Sequence, residues 1–315
     1  MQITLEETAA ALKQAERVVL TAHVSPDGDA LGSCLGLQAY LRQQGKSAEV
    51  LIDDKLPHNL AFLPGYAAIR RPQGLKLEAD LLVVLDTAPD RIGEVQEAVP
   101  GAALLNIDHH ISNDGKDVRL YCPPRKAAVA ETVYDILQYL GAELDEAMAL
   151  SLYTGLATDT GFFRYSNTTP ATMRVAAALI EAGARPELVS ETVEEKPYQL
   201  VMGMAKAMQT IELFADGKAA GVFLPLELVE TLDSTDGFID FARIIEGVEI
   251  AVLVKCVAEN TCRVSLRSKG RNVSKIAMEF GGGGHIRAAG CTLKMPLAEA
   301  KATIMARVTA AVNEE

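Results

Sequence analysis

The sequence predicts an α/β protein of two domains. The first is doubly wound around a mostly parallel sheet, the second is a smaller α+β domain, and a partly helical linker joins them. Three observations carry this reading. Short apolar, β-branched runs alternate with helical stretches as far as Gly183, the pattern of strands joined by crossover helices. Residues 80–87 (DLLVVLDT) stay apolar without alternating, as strands covered on both faces do. After Gly183 the texture changes to a charged helical connection and then three strand-like runs. At 315 residues the chain is also long for one core. The expected boundaries are 1–184 for the first domain, 185–212 for the linker and 213–315 for the second.

Taken in order, residues 5–16 read as a helix with Leu5, Thr8, Ala9 and Leu12 on one face. Residues 17–24 (RVVLTAHV) read as a strand, broken by Pro26-Asp27-Gly28-Asp29. Residues 30–45 read as a helix with Gly45 just past its end, where a left-handed cap is wanted. Strands are expected at 47–53, 80–87 and 102–110, then helices at 127–141, 145–159 and 169–183. Residues 184–214 are Pro-flanked, charged and helical in pattern. Strand-like runs follow at 218–224, 248–257 and 261–269, with a helix at 273–280 leading into four glycines.

Composition narrows the function. With 49% hydrophobic and 23% charged residues the chain is globular, not disordered. No apolar run reaches the ~18 residues of a membrane span, and the acidic, amphipathic start lacks the basic and apolar regions of a signal peptide. Five scattered cysteines without CxxC spacing predict neither a disulfide framework nor a thiolate zinc site, and point to a reducing cytoplasm. A net charge of −12 argues against long duplex nucleic acid, which needs a large basic footprint. Cations gather late, at Arg263, Arg267, Lys269, Arg271, Lys275 and Arg287, a distribution suited to a small anionic ligand.

The chemistry lies where acids and imidazoles follow apolar runs. His23, Asp27 and Asp29 come after the first strand, Asp86 ends the third, and Asp108, His109 and His110 end the fourth. Ligands bind at the carboxyl ends of strands in open α/β sheets, and carboxylates placed there are costly unless paired or bound to metal. An Asp after a strand is often only a helix cap, yet four of the five histidines lie in these polar motifs or beside the glycines (His285). Carboxylates and imidazoles without thiolate suit Mn²⁺ or Mg²⁺, with Co²⁺ or Zn²⁺ as further candidates. So many ligands exceed the need of one ion and predict two, roughly 3.5–4 Å apart, sharing a carboxylate and a hydroxide that attacks phosphorus in line.

His23-Val24-Ser25-Pro26-Asp27-Gly28-Asp29-Ala30, Val84-Leu85-Asp86, Asp108-His109-His110 and Thr158-Asp159-Thr160-Gly161 resemble, in order, the four motifs of the DHH phosphoesterase superfamily. Arg267-Ser268-Lys269, Phe280-Gly281-Gly282-Gly283-Gly284-His285 and Ala288-Ala289-Gly290 resemble the DHHA1 signature. The likeness runs from residue 23 to 290 and is nearest to the nano-RNase and pAp phosphatase branch. It implies a hydrolase of very short oligoribonucleotides and of the 3′-phosphate of pAp, with pApA or cyclic dinucleotides as the alternative. Inorganic pyrophosphatase and a non-catalytic nucleotide sensor rank lower. It further implies that His23 and Asp27 hold one ion and Asp29, His109 and Asp159 the other, with Asp86 bridging and Mn²⁺ the first choice. His110 would lie beside the phosphate and Asp108 would orient a neighbour. Arg267, Ser268, Lys269, Gly282, Gly283, Gly284 and His285 would bind substrate across a cleft, the glycines offering N–H groups as an anion nest. Homodimerisation is left open. Ser25 stands where relatives often have Asn, and Ala127-Ala128-Val129-Ala130 where they often have Ser or Thr.

Overall fold

The computed structural model describes residues 1–110, 113–116, 118–232, 234–235 and 237–314. It divides into two compact units, Met1–Glu195 and Lys196–Glu315.

In the first unit a Thr4/Glu7 capping box opens α1 (Leu5–Gln14), which leads into β1 (Arg17–Thr21). Then follow α2 (Gly28–Gln43), β2 (Ser47–Val50), β3 (Leu81–Leu85), the single turn α3 (Val95–Ala98), β4 (Ala103–Ile107) and β5 (Arg119–Tyr121). Four helices complete it: α4 (Val129–Tyr139), α5 (Glu146–Asp159), α6 (Pro170–Glu181) and α7 (Pro186–Glu194). The five strands are all parallel in the order β2-β1-β3-β4-β5. The order reverses between β1 and β3, which makes their carboxyl ends the switch point. Coverage of the two faces is unequal. The main core packs α2, α4 and α5 on one face, while a small cluster of Val19, Leu51, Leu82, Val84, Ile92 and Val95 serves the other.

Glycines set the close approach of α2 to α5. A Cβ on Gly32 would lie 2.4 Å from the Ser151 carbonyl oxygen, and one on Gly36 2.7 Å from the Leu152 side chain. Backbone therefore rests against backbone, and the start of α2 meets the end of α5. Gly45 does adopt the left-handed conformation after α2, with φ 77°.

The expected strands 17–24 and 102–110 stop earlier, at Thr21 and Ile107. Their polar tails turn out of the ladder, so the candidate ligands sit on loops beyond the sheet. The three-residue β5 was too short to show a period.

In the second unit α8 (Tyr198–Met208) precedes β6 (Glu212–Phe214) and β7 (Ala219–Leu224). Two short helices, α9 (Leu226–Val229) and α10 (Phe238–Arg243), lead to β8 (Ile250–Ala258) and β9 (Thr261–Ser268). Then come α11 (Val273–Glu279), β10 (Gly283–His285), β11 (Ala288–Leu293) and α12 (Leu297–Asn313). The strands form one mixed sheet, β10-β11-β9-β8-β7-β6, with β7 and β8 parallel and the other pairs antiparallel. One face packs on α11 and α12, the other on α8 and α10. The division between the units falls within the stretch expected as linker, with α7 on one side and α8 on the other. All five cysteines are free thiols, and no helix among the described residues is long and apolar enough to cross a membrane.

Candidate metal centre

The carboxyl ends of β1, β3 and β4, the start of α2 and the end of α5 bring the expected ligands together. His23, Asp27 and Asp86 form one group with ligand atoms all within 4.8 Å, and Asp29, His109 and Asp159 form a second. Asp86 connects them: its Oδ2 lies 3.5 Å from Nε2 of His23, and its Oδ1 lies 3.5 Å from Nε2 of His109. His109 Nε2 is also 3.7 Å from Asp159.

Each imidazole is aimed by its other nitrogen. His23 Nδ1–H donates to the Val24 carbonyl at 2.9 Å, and His109 Nδ1–H to the Lys126 carbonyl at 3.4 Å. This selects the tautomer in which Nε2 is the coordinating atom. Asp86 reaches its place through a left-handed backbone, φ 61°, an uncommon conformation that aspartate tolerates. Asn106 steadies that turn, its side-chain N–H groups donating to the carbonyls of Val84 (3.0 Å) and Thr87 (2.7 Å).

The aspartates answer differently to the cap alternative. Asp27 does cap α2, accepting the N–H groups of Asp29 and Ala30 at 3.0 Å through Oδ1. Asp29 is fully buried and caps a different helix: it accepts Val129 N–H at 2.6 Å and Ala130 N–H at 2.8 Å, at the start of α4. That carboxylate does for Ala128 what a Ser or Thr there would do for itself. Asp159 is the last residue of α5, where the helix dipole disfavours an acid. It is no cap.

Electrostatics fit a cation site. Burial, with the charges of Asp86 and Asp159, pushes Asp29 well above the usual carboxylate range. Burial, with Asp86 and Asp27, raises Asp159 to about 6. His109 is drawn down by burial, but Asp86, Asp29 and Asp159 together lift it to about 10. A hydrogen bond with Asp86 raises His23, against its burial. Burial disfavours the charge on Asp86, yet His109 and His23 hold its pKa below the ordinary value. One atom decides the fit: Asp86 Oδ1 is buried with no hydrogen-bond donor among the described residues. A buried carboxylate oxygen left without a donor is expensive, and it lies between imidazoles and carboxylates suited to Mn²⁺, Mg²⁺ or Co²⁺. The donor set fits divalent ions.

His110 is half exposed, its Nδ1–H donating to Asp108 Oδ1 at 2.8 Å, and the same nitrogen lies 3.8 Å from Asp86 Oδ1, so that Asp86, Asp108, His109 and His110 form a third group. Asp108 is fully buried and also accepts from the backbone N–H groups of His109 (2.7 Å) and His110 (3.2 Å). Its Oδ2 takes the Asn113 side chain at 2.6 Å. Asp108 thus orients His110, whose pKa it raises against the effect of burial. Asn113 had only its place after the DHH motif to mark it, and Asn106 only its polarity within an apolar run.

In the second unit, Arg267 lies on β9 between Ala288 of β11 and Ala251 of β8. By strand alternation Arg263, Ser265 and Arg267 share one face, where a cavity of about 460 Å³ is lined by Lys255, Arg263, Ser265, Phe280, Gly281 and Gly282. Ser268 is turned to the other face and buried, its hydroxyl donating to the Arg271 carbonyl. That bond holds the turn after β9, on the face opposite Arg267. Lys269 is exposed and donates to the Ile245 carbonyl at 3.3 Å. The glycine run is an edge strand, Gly283–His285 pairing with Ala288–Gly290. Tight pairing explains two of the glycines: a Cβ on Gly282 would meet the Gly290 carbonyl oxygen at 2.1 Å, and one on Gly284 the Ala288 oxygen at 2.5 Å. The N–H groups of Gly281 and Gly282 close the end of α11, donating to Met278 and Ala277. This narrows the expected anion nest to Gly283, Gly284 and His285, the last with an exposed side chain.

Comparison with known proteins agrees with both units. The model of the DHH family, N-terminal domain, matches residues 17–156, and that of the DHHA1 domain matches residues 227–314. The chain is 36% identical over 301 residues to the bifunctional oligoribonuclease and PAP phosphatase NrnA of Thermus thermophilus, covering 95% of this chain and 90% of that protein. It is 29% identical to the protein of the same name in Bacillus subtilis, covering 88% and 90%. The crystal structure of an exopolyphosphatase-related protein from Bacteroides fragilis superposes with a TM-score of 0.87 at 25% identity, covering 98% of this chain and 97% of that one. The chain belongs to the DHH/DHHA1 family of phosphoesterases.

Proposed function

We propose that the protein is a metal-dependent phosphoesterase that hydrolyses very short oligoribonucleotides and removes the 3′-phosphate of pAp. The observation that carries the reading is the donorless, buried Oδ1 of Asp86, set among His23, His109 and the acids of two ligand groups. The relatives from T. thermophilus and B. subtilis are named for these two activities, which supports the choice of substrate.

His23 and Asp27 would hold one ion, Asp29, His109 and Asp159 a second, and Asp86 both, with Mn²⁺ the expected metal and Mg²⁺ or Co²⁺ the alternatives. Bound there, divalent ions supply an acidified water and positive charge against the phosphoryl oxygens. The chain's own groups do the rest. His110, fixed on Asp108 through Nδ1–H, keeps Nε2 for a proton, and its raised pKa suits a donor to the leaving oxygen. In the second unit Arg267, Lys269 and the edge strand Gly283–His285 are candidate donors to substrate phosphate.

The test is a substrate panel with purified protein: pAp, di- to pentanucleotides, pApA, pyrophosphate and a long RNA, each with Mn²⁺, Mg²⁺, Co²⁺ or chelator. Turnover of pAp and the short oligomers, dependent on added metal, is expected. Preference for pyrophosphate or pApA, or metal-independent activity, would overturn it.

A further inference from the structure

We infer that Glu131 is a positioning residue of the metal centre, acting through the turn at residues 126–130. The inference rests on the metal-dependent reading above. Glu131 lies in the first turn of α4 and is 1% exposed, a depth at which a carboxylate needs full pairing. Its Oε1 accepts from Lys126 Nζ at 3.1 Å, and its Oε2 accepts the Ala127 N–H and the Thr172 hydroxyl, both at 3.1 Å. Lys126 Nζ is shared with Asp135 at 2.5 Å. One buried carboxylate thus ties together two successive residues of the turn and the start of α6.

That turn reaches the candidate ligands from three directions. The Lys126 carbonyl receives His109 Nδ1–H and so selects the tautomer that presents Nε2 to Asp86 and Asp159. The N–H groups of Val129 and Ala130 hold the Asp29 carboxylate. Asn167 donates to the carbonyls of both Ala127 (3.0 Å) and Asp159 (3.2 Å). Ala128, the cap residue of α4, has no side-chain hydrogen bond to offer, so the turn does not fix itself. Arg125, just before it, has φ 63°. A non-glycine residue keeps that conformation only where its surroundings over-determine it. Glu131 holds the two residues that follow Arg125, and none of its hydrogen bonds goes to a candidate ligand.

The experiment compares wild-type protein with Glu131→Gln, which keeps the shape and removes the charge, by calorimetric titration of Mn²⁺ into metal-stripped protein. Glu131→Gln is expected to bind Mn²⁺ about 10–100-fold more weakly, the range for groups that orient metal ligands. Its KM for pAp at saturating Mn²⁺ should be unchanged, and its kcat should recover as Mn²⁺ is raised. A purely structural residue would lower the melting temperature and leave the Mn²⁺ isotherm superposed on wild type; that result overturns the inference. Should Glu131→Gln fail to fold, Glu131→Asp decides by the same two outcomes, since it keeps the charge but falls a methylene short of Ala127. Wild-type protein that takes up no divalent ion would sink the metal-dependent reading itself, and this inference with it. A metal-binding wild type with an unaltered Glu131→Gln isotherm sinks only the inference.

Discussion

Nε2 of His109 stops 3.5 Å from Oδ1 of Asp86, a buried oxygen that no hydrogen-bond donor among the described residues reaches. The other oxygen of the same carboxylate faces His23 at the same distance. The Asp86 carboxylate thus lies between His23 of one group and His109 of the other, and we propose that it is shared by both ions. Asp86→Ala should abolish hydrolysis of every substrate, a larger loss than the ~10–100-fold typical of orienting groups. Calorimetry with Mn²⁺ should show both binding events weakened together. Tight binding at one cluster with activity retained would show that the carboxylate is not shared.

His110 and His109 are neighbours in sequence with different surroundings. His109 turns Nε2 to Asp86 and Asp159, while His110 is half exposed and turns Nδ1 to Asp108 at 2.8 Å, with Asp86 further off at 3.8 Å. His110→Ala should lower kcat by about 10²–10⁴-fold, the range for a lost proton donor, with Mn²⁺ binding unaltered. His109→Ala should lose both. Weakened Mn²⁺ binding in His110→Ala would place that ring among the ligands instead.

How much of this was readable beforehand depended on whether a signal was local. The apolar run before Asp86 and the alternation of helices and strands are written in consecutive residues, so the parallel sheet and the ligand motifs at its edge could be seen in advance. Asp29 capping α4 from α2 could not, because the acceptor and the N–H groups lie about a hundred residues apart. Glu131 looked like any acid near a helix start until its burial was known. Ser268 matched a motif, yet strand alternation turns it away from Arg267. The pairing of Gly283–His285 with Ala288–Gly290 was not legible either, because spacing alone does not reveal a strand partner.

Gly32 controls the separation of α2 and α5. A methyl group there would lie 2.4 Å from the Ser151 oxygen and 2.9 Å from the Gly155 nitrogen, both backbone atoms that cannot rotate aside. Gly32→Ala should cost about 1–3 kcal/mol, as overpacking does. Asp29 lies in the first turn of one of these helices and Asp159 ends the other. Mn²⁺ affinity should therefore fall along with the melting temperature. A variant as stable as wild type, with unchanged Mn²⁺ binding, would show that the two helices do not set the ligand spacing.

Arg267 belongs to a unit that contributes none of the expected metal ligands. Arg267→Ala should raise KM for pAp and for dinucleotides about 10-fold or more, the loss of a charge-assisted phosphate contact worth ~1.5–3 kcal/mol. Its Mn²⁺ isotherm should match wild type. Steady-state kinetics separate the outcomes: a collapsed kcat with unchanged KM would remove Arg267 from substrate binding.

Asp80 supplies a pH-dependent contribution far from the ligands. Its carboxylate accepts from Arg17 Nε (3.2 Å) and Nη2 (2.8 Å) and from the backbone N–H groups of Arg17 (2.8 Å) and Glu16 (3.1 Å). The Arg17 side chain, then the backbone donors, lower its pKa from 3.8 to about 2. Because the folded value lies below the unfolded one, the ionised group stabilises the fold fully above pH 3.8, and this is lost as pH falls through about 2. Asp80→Asn should thus be less stable than wild type at pH 5, with a gap that narrows from about pH 4 downward. Denaturant titrations of both proteins at intervals from pH 5 to pH 2 measure it. A gap that stayed constant over that window would mean that Asp80 titrates alike in the folded and unfolded chains, and that its contacts with Arg17 do not persist in solution.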